Sequence, residues 1–118
     1  MGSGAEWVSI RNGYTKTVNV SYIRLSPSCA NEGGEPWEVR GWRVLSPDGS
    51  TTIHNPTSNR WFYIFAEAVD GTIWTGPFIE QVTLSAFHRC TGVGITNALT
   101  VGFRELDTKA HDHFRLVK

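Results

Sequence analysis

The sequence predicts an all-β fold: an antiparallel β-sandwich, or flattened barrel, of about eight or nine short strands, with at most one short helix near residues 83–90. Three observations carry that expectation. Helical periodicity is nearly absent from the chain. Short runs rich in Val, Ile, Thr and aromatic residues recur instead. Gly, Pro, Asn and Asp interrupt those runs before any of them reaches the length of a helix.

The leading MGSG, residues 1–4, has the make-up of an expression scar and is set aside, leaving residues 5–118 as a single β-sandwich domain. Strands are expected at Glu6–Arg11 and Thr17–Leu25, with Asn12-Gly13 folding the first back on the second. Ser26–Trp37 (SPSCANEGGEPW) then forms a long exposed loop, because its Gly, Pro, Asn and Glu content suits no regular element. The next strands are Trp37–Leu45 and Ser50–His54, joined as a hairpin by Asp48-Gly49. A second such signal, Asp70-Gly71, folds Trp61–Val69 back on Thr72–Trp74, since aspartate and glycine tolerate the positive φ angles of tight hairpin turns. Strands at Gln81–Leu84, Thr100–Leu106 and His113–Val117 complete the set, and Leu84 and Phe87 could share the face of a short helix over Thr83–Cys90.

The run Arg60–Phe78 (RWFYIFAEAVDGTIWTGPF) is the most apolar of the chain, yet it holds a glutamate. Period-two alternation puts Trp61, Tyr63, Phe65 and Glu67 on one face and Phe62, Ile64, Ala66 and Ala68 on the other. Both faces are apolar, which marks a central strand covered on both sides along its first half. Glu67 falls on the aromatic face close to the turn, so it is expected at a rim where water or a ligand can meet it; an ionised carboxylate buried alone would be too costly.

Composition narrows the function. Eleven basic and eleven acidic residues cancel, and no three basic residues adjoin, so nothing favours a nucleic-acid backbone as partner. No apolar run approaches the ~20 residues of a membrane-spanning helix, and no leader peptide is visible. Five tryptophans in 118 residues are an excess, and they point to an aromatic core, a binding surface or both. Core packing is expected to account for at least three of the five.

Cys29 and Cys90, 61 positions apart, are the only cysteines. They read as a disulfide tying two distant loops in an oxidising compartment, or else as two unrelated buried thiols. His88-Arg89-Cys90 and His111-Asp112-His113 each place two potential zinc ligands on one strand face, but a disulfide would consume Cys90, and a polar turn before the last strand accounts for the second pair. No nucleophile elbow or phosphate loop is present, and the scattered carboxylates form no recognisable hydrolytic pair. In the Ser26–Trp37 loop, Glu32 and Glu35 with the Asn31 amide could meet a cation or sugar hydroxyls. Asn19-Val20-Ser21 is formally a glycosylation sequon.

Taken in order, Trp37, Gly41-Trp42, the Phe62–Glu67 run, Asp70-Gly71, Trp74-Thr75-Gly76-Pro77-Phe78, Phe87 with Cys90, and Val101–Asp107 form a pattern. It resembles the bacterial family known as domain of unknown function 1036, from about Trp7 to Val117. Where many relatives carry Gly-Trp-Trp, this chain has Gly41-Trp42-Arg43. The resemblance implies a small, often exported domain and brings no activity, substrate or catalytic set. It also implies a structural use for Glu67, bound to backbone amides at the rim, and for Gly76, at a bulge or bend after Trp74.

The expected function is non-enzymatic recognition by a secreted or extracytoplasmic bacterial module, with carbohydrate as ligand and no cofactor. Aromatic faces stack on sugar rings while carboxylates and amides bond the hydroxyls, which selects Trp37, Trp42, Trp74, Glu35 and Glu67. The alternative is a protein-interaction or structural module in which the same aromatics form an interface. A small hydrolase or metal-dependent enzyme is the third reading.

Overall fold

The computed structural model describes residues 3–31, 36–91 and 98–117, with the backbone alone for Ala30 and Asn31. The strands are β1 (Trp7–Asn12), β2 (Val18–Leu25), β3 (Trp37–Leu45), β4 (Ser50–His54), β5 (Trp61–Ala68), β6 (Ile73–Trp74), β7 (Phe78–Val82), β8 (Phe87–Cys90), β9 (Leu99–Asp107) and β10 (His113–Leu116). One helical turn, α1 (Ser28–Asn31), sits between β2 and β3.

The strands form two sheets. The smaller has the order β10-β1-β4, with β1 antiparallel to β4 and parallel to β10. The larger has the order β7-β9-β5-β2-β3-β8, and β6 pairs with the end of β5 that β9 leaves free. All pairings in the larger sheet are antiparallel.

Alternation explains how the two sheets pack. Val8 and Ile10 of β1, Ile53 of β4 and Leu116 of β10 meet Val18, Val20 and Tyr22 of β2 and Phe62, Ile64, Ala66 and Ala68 of β5. Removing each large apolar side chain from water stabilises the fold by about 1.5–3 kcal/mol. The opposite face of the larger sheet is also covered, because that sheet curls. Ile23, Val39, Phe65, Val82 and Phe103 form a second buried cluster inside the curl. Its edge strands are joined by side chains: the buried Arg89 on β8 lies 3.1 Å from Glu80 on β7 and donates to the Gln81 carbonyl. The two-sided apolar pattern of β5 thus has its physical cause in one cluster on each face.

Two turns do other work than their sequence suggests. Asp70-Gly71 closes the β5–β6 hairpin as expected, with Gly71 at φ 89°. Asp48-Gly49 does not make a hairpin: β3 pairs with β2 and β8, β4 pairs with β1, and the turn carries the chain between sheets. Asn12-Gly13 likewise leads from β1 in one sheet to β2 in the other. Buried Asn12 makes that crossing specific, donating to the Lys16 and Leu45 carbonyls and accepting from the Tyr14 amide. The expected helix over 83–90 is instead a bend followed by β8, because Phe87 and Arg89 point into the curl while the backbone pairs with β3. Gly4, set aside with the leading tetrapeptide, donates its amide to the Ser58 carbonyl.

β9 spans both halves of the curl, with residues 99–103 paired to β7 and 104–107 paired to β5. The segment after β6 crosses β9 at glycines: a Cβ on Gly102 would lie 2.1 Å from the Gly76 carbonyl oxygen. Thr75 fastens the crossing by donating to the Gly102 carbonyl at 2.8 Å.

Candidate functional site

One rim of the larger sheet presents a row of side chains set by register. Val44 of β3 lies opposite Asn19 of β2, Asn19 opposite Glu67 of β5, and Glu67 opposite Ile73 of β6. Directly opposed residues share a face, so four strands contribute to one surface. Trp42 joins it through an irregularity. On the β2–β3 ladder Val20 pairs with Arg43 and Ser21 with Gly41, so Trp42 is an extra residue without a partner. Such a bulge re-aims its side chain. Strict alternation from Trp37 would send Trp42 to the face of Glu38 and Arg40; the bulge turns it into the curl, against Phe65 and Phe87. Its indole Nε1 donates to the Thr83 carbonyl at 2.8 Å, fixing the ring. Gly41 makes room for the support beneath, since a Cβ there would lie 2.5 Å from the Phe87 ring.

Trp42, Asn19, Val44, Glu67, Leu84 and Ala86 line an open cleft of about 340 Å³. Glu67 is exposed and Asn19 half-buried, and neither side chain has a hydrogen-bond or ion-pair partner among the described residues. Val44 and Leu84 add apolar surface at 67% and 84% exposure. The cleft therefore combines a fixed indole, an amide and a carboxylate with free hydrogen-bonding capacity, and two apolar flanks.

The structure brings together two of the five residues selected from sequence, Trp42 and Glu67. Glu67 stands at the rim as its position before the turn implies, but it does not bind backbone amides there. Trp74 is 4% exposed in the main core, edge-on to Tyr14, with its Nε1 donating to the Val117 carbonyl, so it offers no face to a ligand. Trp37 lies in a separate cleft of about 230 Å³ with Ile23, Tyr63, Phe78, Ile79, Glu80 and Thr91. Glu35, like Glu32, lies outside the described residues. Trp74 is buried in the main core, Trp37 and Trp42 are half-buried and pack against the second cluster, so three of the five take part in core packing; Trp61 is half-buried and Trp7 exposed. Asn19 and Leu84 were not selected from sequence, because their approach to Glu67 and Trp42 depends on register and the bulge.

Cys29 and Cys90 form a disulfide, linking α1 to the end of β8. Cys90 is thereby removed from any metal pair with His88. His88 instead lies 2.7 Å from Glu38, whose buried carboxylate also meets Arg24 at 2.8 Å and Arg40 at 3.1 Å. His111 and His113 flank Asp112 where the exposed turn enters β10, and His113, the first residue of that strand, meets Asp112 at 2.6 Å. No group of three His, Cys, Asp or Glu among the described residues is placed to hold a metal ion. Arg60 binds Asp107 through two hydrogen bonds of 2.9 and 2.8 Å and holds its carboxyl down at about 2. Partial burial, then the bond to Glu105, pushes the Tyr63 phenol up to about 12.

No helix among the described residues is long and apolar enough to cross a membrane. No family model, no curated protein and no solved structure matches the chain.

Proposed function

We propose that this chain is a non-enzymatic carbohydrate-recognition module of an exported bacterial protein, related to the family its motif order resembles, and that its sugar site is the cleft of Trp42, Asn19 and Glu67. The observation that carries the reading is an indole fixed by the Thr83 carbonyl beside an amide and a carboxylate that have no internal partners. A pyranose has an apolar face for the indole and a ring of hydroxyls for Asn19 and Glu67, which matches that division. Among the described residues Glu67 is the sole carboxylate lining the cleft, which suits hydroxyl binding, whereas glycoside hydrolysis ordinarily uses a carboxylate pair. The disulfide supports an oxidising destination.

The test is a glycan array probed with the oxidised protein and with the Asn19→Ala and Glu67→Gln variants. Saturable binding to one sugar class, lost in both variants, is the expected result. Binding that both variants retain removes the site, and a clean negative removes carbohydrate. Val44 and Leu84, both largely exposed beside the cleft, would then favour a protein partner on this same rim.

A further inference from the structure

The second cleft is separate from the sugar site and differs in chemistry. Trp37 and Tyr63 meet edge to face, with centroids 5.7 Å apart and planes at 78°, and Tyr63 and Phe78 lie 4.9 Å apart at 58°. Tyr63 is thus tilted against a ring on each side, which makes the corner of a box, unlike the single flat platform that suits a sugar. Ile23 and Ile79 close it with apolar surface. Its volume, about 230 Å³, falls below the roughly 300–1,000 Å³ of sites for drug-sized molecules, so the occupant is a small group. Two carboxylates stand at the rings: Glu80 lines the cleft, and Glu105 accepts a hydrogen bond from the Tyr63 hydroxyl at 3.0 Å. Arg89 offsets Glu80, which leaves an excess of one negative charge across Glu80, Glu105 and Arg89. Thr91, 4% exposed, lines the same cleft, and its Oγ1 has no hydrogen-bond partner among the described residues.

We propose that the cleft of Trp37, Tyr63, Phe78 and Thr91 is a second binding site, an aromatic cage for a methylated ammonium group such as that of choline. The negative π faces of tilted rings attract a cation that has shed its strong hydration, and methylation removes the ammonium hydrogens that hold water. The methyl groups fill the apolar part of the cleft.

The experiment is an NMR titration of the oxidised protein with choline and, separately, with 3,3-dimethylbutanol, its uncharged isostere. Choline is expected to shift the Trp37 indole resonance saturably, with the isostere at least about tenfold weaker. Phe78 is 43% exposed, so Phe78→Leu leaves the core intact and is expected to weaken choline about tenfold without changing the spectrum elsewhere. Sedimentation with phosphatidylcholine vesicles separates the sources: retention assigns a lipid headgroup, and binding of free choline alone assigns a soluble amine. Equal binding of choline and the isostere, an unchanged affinity in Phe78→Leu, or no shift with choline would each overturn the proposal.

Discussion

Replacing Cys29 and Cys90 together by alanine removes the covalent tie between α1 and the end of β8. The two residues are 61 positions apart, and in the chain-entropy treatment opening a loop of that length frees the unfolded chain by about 4 kcal/mol. Domains of this kind are stable by about 5–15 kcal/mol in total, so the double variant still folds but with a much smaller margin. The assay is equilibrium urea denaturation of the oxidised protein and the double variant, followed by tryptophan fluorescence. With a urea slope near 2 kcal/mol/M, the midpoint falls by about 2 M. Reduction of the wild-type protein should reproduce that fall, since it opens the same loop. An unchanged midpoint in both samples would refute the reasoning. It would mean that the unfolded chain is already compact between these positions, or that the bridge strains the folded state as much as it restrains the unfolded one.

Three further outcomes test the packing and the electrostatics. Gly102→Ala drives a methyl into the Gly76 carbonyl at the β9 crossing and should cost about 1–3 kcal/mol in the same urea assay, whereas Gly71→Ala, which meets no atom within 4 Å, isolates the cost of a positive φ. The Asp107 carboxyl is depressed to about 2 by the Arg60 hydrogen bonds, so the stability it contributes is complete above the usual aspartate value and is lost as pH falls toward 2; Asp107→Asn should flatten that acid limb in pH-dependent denaturation. Tyr63 is raised to about 12, first by burial and then by the bond to Glu105, so an unfolded chain ionises it earlier and stability falls between about pH 10 and 12. Absorbance titration should find the Tyr63 phenol ionising late, moved to lower pH by Glu105→Gln.

Strand positions were largely legible because alternation and β-branched composition are local. Trp37–Leu45 and Ser50–His54 match their expected bounds, and the two-sided character of β5 was readable from its own residues. Pairing was much less legible. Asp48-Gly49 has the chemistry of a hairpin turn, but β3 is taken on both edges by β2 and β8, a choice decided by distant partners. The parallel β1–β10 pair joins segments near opposite ends of the chain, and nothing local announces it. β8 was misread as helix because Leu84 and Phe87 have helical spacing, while the strand is stabilised by Arg89 and Phe87 inside a curl that the sequence does not display. Glu67 was found because a carboxylate in an apolar run is conspicuous. Asn19 was not, because an asparagine alternating with core valines becomes informative only when its register opposite Glu67 is known. Trp42 was selected for its type, but the bulge that aims it toward Glu67 is a property of the ladder.

The central claim is that Trp42, Asn19 and Glu67 act together on one ligand. It is tested most directly by calorimetric titration of the best array sugar into wild-type protein, Asn19→Ala and Glu67→Gln. Asn19 and Glu67 lie outside both buried clusters, so the variants should keep the wild-type fold. A hydrogen bond from a sugar hydroxyl to a charged carboxylate contributes about 1.5–3 kcal/mol, so Glu67→Gln should weaken binding by about ten- to a hundredfold, and Asn19→Ala by less. Wild-type affinity in both variants would contradict the account and leave this rim without a part in sugar binding.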